Sequence, residues 1–358
     1  MPFGCKRDEE EARRRLRAFW AGESLGRPAL HAVVQDPTWR HAPVPGEEAP
    51  SVANDWSPDW HARRAAALLD HTEFLAEAMP ATGLRFGSLL TVLAVLAGGG
   101  YAYHSDSAWI EPLPDIWRRP LPAFSPTGDA TRGLERCLRA VADVVGARGF
   151  VNPPVLLDGL TTLSGFRTPE QLCVDLLERP DDVRRWSAAL TDMYLAAYRH
   201  FYGLVTRWGY GDTTTWLSSM AEGSFEAVQC DFSVMLSPRM YEAFVLPDLV
   251  RTVEAFDYTL YHLDGTVQLR FLDLLATIPG LTGIQWNPEP GAGSPVLWID
   301  TLRDIRRRGW CLHVHCPTVD DAVRLARELG PDGLLLVLPP FDTRQEAVEA
   351  IAAVEGAC

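Results

Sequence analysis

Apolar and polar positions change their rhythm along this chain, and the change divides it near residue 150. Beyond that point short apolar runs alternate with helical spacing. "PVLLDG" comes first, then the helix "PEQLCVDLLE", which Thr168 and Gln171 open as a capping box. Helix-forming residues cover 181–207, followed by the strand-like "YGDTTTW" and "AVQCDFSVM". The helix "SPRMYEAFVLPDLVRTVEAF" carries Pro238 in its first turn. After it come "YTLYHLDG", "GIQWNPEPGAGS", a helix over 296–308, "WCLHVHC", a helix opened by Thr318 and Asp321, "GLLLVLPP", and a last helix over 343–354. The first part is less regular. A helix is expected over 9–20, a strand at "ALHAVVQ", helical spacing over 60–78, and a second helix at "FGSLLTVLAVLAG" ended by Gly98, Gly99 and Gly100. "YAYHSDSAWIEPLPDIW" is aromatic and aperiodic, as a cap over a site would be.

This pattern predicts about eight strands separated by helices, which requires a mostly parallel sheet with helical crossovers. The near-continuous apolar strands fit burial on both faces. The fold expected is an α/β single (β/α)8 TIM barrel, with an open doubly wound sheet as the alternative. Residues 1–358 read as one domain, with 1–27 as an N-terminal helical extension and 36–56 and 98–128 as long loops capping the barrel.

Composition narrows the chemistry. Apolar residues make up 47% of the chain, enough for a packed core. A net charge of −14 argues against nucleic acid, which binds to a basic face. The longest apolar run is shorter than the ~20 residues that span a bilayer, and the charged start lacks the apolar core of a secretory signal. A cytoplasmic protein acting on a small molecule, with no membrane partner, is expected. The seven cysteines form no paired framework and read as reduced thiols. Lys6 is the only lysine, and its place in the charged N-terminal tail removes Schiff-base, pyridoxal-phosphate and P-loop chemistries from consideration.

Within a barrel, the polar residues at strand exits converge on one rim. These are Asp158, Trp216, Cys230, Asp231, Ser233, His262, Asp264, Gln285, Asn287, Glu289, His313, His315 and Cys316. His262 and Asp264 stand two apart and so share a strand face, where a carboxylate can orient an imidazole as a base or both can hold a metal. Asp264-Gly265 is equally ordinary turn chemistry. Asp231 is a candidate acid or a helix cap. Gln285, Trp286, Trp216 and Asp158 are candidates for substrate binding. "HVHC" adds His315 and Cys316, so that His262, Asp264, His315 and Cys316 supply the donors of an open zinc site.

The order of motifs resembles the uroporphyrinogen decarboxylase superfamily, which includes corrinoid-linked enzymes such as methylcobamide:coenzyme M methyltransferase. The resemblance is carried by "FWAGESLGRPAL", "SAWIEPLPDIW", "CDFSVMLSPRMYEAFVLPDL", "YHLDG", "GIQWNPEPGAG" and "LARELGPDGLLL". It implies a (β/α)8 barrel with its site in the C-terminal mouth. The methyltransferase branch binds zinc through an H-x-C pair and a later cysteine. Here His262 matches the histidine, Asp264 replaces the cysteine, and Pro339 and Pro340 stand where the later cysteine is expected. The arginine-rich N-terminal motif of the decarboxylase branch has no counterpart. A corrinoid would arrive on a partner protein, since a D-x-H-x-x-G pattern is missing. The expectation is methyl or one-carbon transfer at a zinc or His/Asp acid–base site, in a chain that could pair as a homodimer. The alternatives are a metal-free decarboxylase or lyase using Asp231 and His262, and a non-catalytic tetrapyrrole- or corrinoid-binding barrel.

Overall fold

The computed structural model describes residues 6, 8–37, 50–104, 107–217 and 219–358. Helix α1 (Glu9–Trp20) opens with Glu9, Glu10 and Glu11, which oppose the positive end of its dipole. Strand β1 (Ala29–Gln35) pairs antiparallel with β2 (Thr72–Ala76). Next come β3 (Ala81–Thr82), the hairpin of β4 (Tyr101–His104) with β5 (Ser107–Ile110), and β6 (Phe150–Val151), which pairs in parallel with β3. A second hairpin joins β7 (Thr213–Thr214) to β8 (Met220–Ala221). The remaining strands are β9 (Phe225–Val228), β10 (Tyr258–Asp264), β11 (Gly283–Asn287), β12 (Cys311–His315) and β13 (Leu334–Val337).

One seven-stranded sheet runs β2-β1-β13-β12-β11-β10-β9, and every neighbouring pair in it except β1–β2 is parallel. The mixed α/β class with a parallel sheet is therefore as expected. Register assigns its faces. Leu260, Gly283 and Cys311 lie side by side on β10, β11 and β12, and His262, Gln285 and His313 form the next row on the same face. This face packs with Ala12, Leu16, Phe19 and Trp20 of α1 in a cluster separate from the one under the outer helices. Ala29 of β1, one strand in from one edge of the sheet, and Phe225 of β9, at the other edge, belong to that same inner cluster. The sheet therefore curls around it. Trp20 closes one end, its indole N–H donating to the Met220 carbonyl at 2.8 Å and its ring 4.9 Å from Phe225. The inner face is apolar where the strands begin and polar where they end.

Several local expectations are corrected. The helical spacing over 60–78 resolves into a helix, Pro58–His71, and then β2, because Thr72 turns the backbone extended and "TEFLA" completes the free edge of β1. "FGSLLTVLAVLAG" forms a 3-10 turn, Gly87–Leu89, with Gly87 and Leu89 at positive φ, and then a helix of only five residues, Val92–Leu96. "PVLLDG" is not a strand. Pairing ends at Val151, and Pro153 and Pro154 bring no N–H to a ladder. The expected single helix after Ser237 is two, Pro238–Phe244 and Leu246–Val253, broken ahead of Pro247. Residues 38–49 of the expected 36–56 loop and residues 1–5 and 7 of the extension lie outside the described residues. Lys6 is no tail residue. It is buried, and its Nζ donates to the Ala76 carbonyl at 2.7 Å and to Asp8 at 2.9 Å. No helix among the described residues is long and apolar enough to cross a membrane.

Candidate active site

β10 ends at Asp264 because Gly265 takes a φ of 83° and its N–H turns to the Asn287 carbonyl at 2.8 Å. Glu289 fixes this turn by accepting from the Thr266 N–H and hydroxyl, each at 2.7 Å. Turn chemistry and a site thus coexist here. The last inner-facing residues of β10 are His262 and Asp264, and their direct cross-strand partners on β11 are Gln285 and Asn287.

Each partner fixes its neighbour. His262 donates from Nδ1 to Gln285 Oε1, since the amide oxygen can only accept. That leaves the Nε2 lone pair free, and Nε2 lies 3.8 Å from Asp264 Oδ1. Asn287 donates to the same Oδ1 at 2.8 Å. Asp231, in the turn that follows β9, completes the group. A ligand atom from each of Asp231, His262 and Asp264 lies within 4.8 Å of the others. Asp231 Oδ2 accepts from Gln229 at 3.3 Å, whereas its buried Oδ1 has no hydrogen-bond partner.

The electrostatics follow from this crowding. Burial first, then the charges of Asp158 and Asp264, push the Asp231 carboxyl up to about 8. Burial pushes Asp158 up to about 6, although its Oδ1 accepts from the Thr161 N–H at 2.9 Å as a helix cap. Burial lowers His262, against the opposing pull of Gln285 and Asp264, so its ring stays neutral near pH 7. Trp216 stands edge-on to the His262 ring, with centroids 4.8 Å apart.

The remaining sequence candidates divide by register. His315 shares the inner face, and its ring packs 5.2 Å from His313, but it lies outside the three-residue group. His313 is buried and committed through Nε2 to the Leu217 carbonyl at 2.8 Å. Cys316 and Trp286 belong to the outer cluster, Trp286 against Trp298. A one-residue step along a strand reverses the face, so neither can reach His262. Cys316 as a ligand and Trp286 as a substrate platform are corrected on that ground. Gln285 supports His262, and Asp158 is a cap that also presses on Asp231. Gln229, His31 and Asn152 were not singled out from the sequence. The signal for His31 was a lone polar residue in the apolar run "ALHAVVQ".

Next to Trp216 a cavity of about 340 Å³ opens between β1, β2 and β3 and is bordered by His31, Asn152, Thr214, Arg64 and Arg85.

No family model and no curated protein matches the chain. A solved structure does. The fold is similar to that of a methyltransferase from Methanosarcina mazei, with a TM-score of 0.60 over 96% of this chain and 98% of that one. At 16% identity the likeness concerns the fold alone.

Proposed function

We propose that this chain is a (β/α)8-barrel enzyme that transfers a methyl or other one-carbon group to or from a small molecule, with a divalent metal held by Asp231, His262 and Asp264. β1, β3, β6 and β9 to β13 would be its eight staves, and the strand ends its mouth. The observation that carries the metal reading is the buried, unpartnered Oδ1 of Asp231, on a carboxylate that groups within 4.8 Å with ligand atoms of Asp264 and His262. Such a group is stable only with a proton or a cation among its oxygens. The imidazole is already pinned through its other nitrogen, as metal-bound histidines usually are. One nitrogen and two carboxylates suit zinc, and three protein ligands leave a position for substrate.

A metal bound there would stabilise an anionic nucleophile, such as a thiolate, at neutral pH. The chain's own residues do the rest. Gln285 sets the His262 tautomer, Asn287 holds Asp264, and Trp216 covers one side of the imidazole and keeps water from it. The methyltransferase of similar fold supports the transfer reading, and a corrinoid donor would come on a partner protein. Elemental analysis of the purified chain tests the site. Stoichiometric zinc that disappears in His262→Ala and Asp231→Ala is expected, and a metal-free wild type, or zinc retained in both variants, would refute it.

The raised Asp231 carboxyl favours one second reading, a metal-free lyase or decarboxylase. There, protonated Asp231 would donate and neutral His262 would accept a proton. Turnover that survives chelators and is lost in Asp231→Ala would select it.

A further inference from the structure

Trp216 has two neighbours of different character. It packs edge-on against His262 and also lines the 340 Å³ cavity, so a single indole borders both spaces. The cavity is polar where it meets the inner face of the sheet. His31 presents a half-buried ring whose buried Nδ1 has no hydrogen-bond partner, and Asn152 is fixed by the Thr214 hydroxyl. At the rim stands Arg85. Among the described residues it forms no hydrogen bond or ion pair, although acidic residues outnumber basic ones by 47 to 33. The carboxylate that acts on it from a distance, Asp55, is already satisfied. Asp55 accepts from the Tyr101 hydroxyl at 2.7 Å, the Tyr103 hydroxyl at 3.0 Å and the Gly87 N–H at 3.0 Å. Arg64 borders the same cavity, its guanidinium 4.9 Å over the Trp60 ring.

From this we infer that the cavity holds the anionic end of the substrate, a carboxylate, phosphate or sulfonate, anchored on Arg85 with Arg64 beside it. The reacting end of the substrate then lies past Trp216 toward His262, which is the one part of the inference that rests on the proposed function. An unpaired guanidinium on a cavity wall offers forked N–H donors matched to an oxyanion. The volume is at the low end of the roughly 300–1,000 Å³ found for small-molecule sites, so the substrate is compact. His31, kept neutral by burial, accepts or donates a hydrogen bond without adding charge.

Titration calorimetry of the chelator-treated protein with inorganic phosphate and with succinate tests the anchor, and it reads the anion site whether or not metal binds. Saturable binding is expected, weakened at least tenfold by Arg85→Gln and partly restored in Arg85→Lys. Arg139→Gln, which alters an arginine stacked on Trp208 away from the cavity, should bind as wild type does. Circular dichroism confirms that each variant is folded. No saturable binding by the wild type, or equal affinity in Arg85→Gln, would overturn the inference. A wild type that purifies without zinc yet binds the anion would overturn the metal reading alone.

Discussion

Replacing Asp231 with asparagine asks whether a proton or a cation holds the clustered carboxylates together. In the metal-free chain the Asp231 carboxyl is pushed up to about 8 by burial and by Asp158 and Asp264. An aspartate in the unfolded chain titrates near ~3.9. Between these values the folded chain keeps a proton that the unfolded chain has released. This contribution to stability is fully present below about pH 4 and is lost as pH rises toward about 8. Four units at about 1.4 kcal/mol each set a ceiling of roughly 5–6 kcal/mol. The group is partly open to solvent, with the Asp264 side chain 42% exposed. Solvent screening there reduces the expected effect to about 1–3 kcal/mol.

Asparagine keeps the shape and removes the charge, so Asp231→Asn should flatten this part of the pH dependence. Thermal unfolding of chelator-treated wild type and variant at pH 5 and pH 9 measures it. The wild type should lose several degrees more than the variant between the two conditions. Saturating zinc should reverse the trend in the wild type, because ligands must be ionised to bind, and should have no such effect on the variant. Parallel pH curves for the two metal-free proteins would refute the reasoning, since Asp231 would then be ionising as freely as in the unfolded chain.

Gln285→Leu removes the acceptor for His262 Nδ1–H and should weaken zinc binding about 10- to 100-fold in a chelator competition, with the fold retained. Cys316→Ala should leave zinc content unchanged by elemental analysis, because that thiol packs in the outer cluster. Glu77 is buried and accepts from Arg27 at 2.6 and 3.0 Å and from the Leu30 N–H at 2.6 Å. Glu77→Ala would strand a buried guanidinium, and denaturant unfolding should show a loss of about 3–5 kcal/mol.

Much of the second half of the fold was readable because its signals are local. Thr168, Thr318 and Thr343 each accept from a backbone N–H three residues on, as N-caps do. The strands from β9 onward are apolar runs bounded by turns. The first half hid its strands for a physical reason. β3 and β6 are two residues long, too short for any periodicity, and β2 continues a helical run without a break in composition. Lys6 looked like tail charge because the contact that buries it, the Ala76 carbonyl, is seventy residues away.

The candidate site divides along the same line. His262 and Asp264 were legible as a pair because alternate residues of a strand share a face, whereas Gln285 and Asn287 became their partners only through the register of β10 with β11. The sequence therefore determined an α/β chain with a parallel sheet and a polar group at the exit of β10. It left open which outside residue joins that group. Asp231 does so only because β9 is hydrogen-bonded beside β10. Cys316 does not, because it is one step out of phase with His315. Sequence periodicity states which residues share a face, whereas strand neighbours and the curl of the sheet are long-range contacts. Those contacts alone brought the two carboxylates and the imidazole together, and placed Arg85 on the cavity that Trp216 also lines.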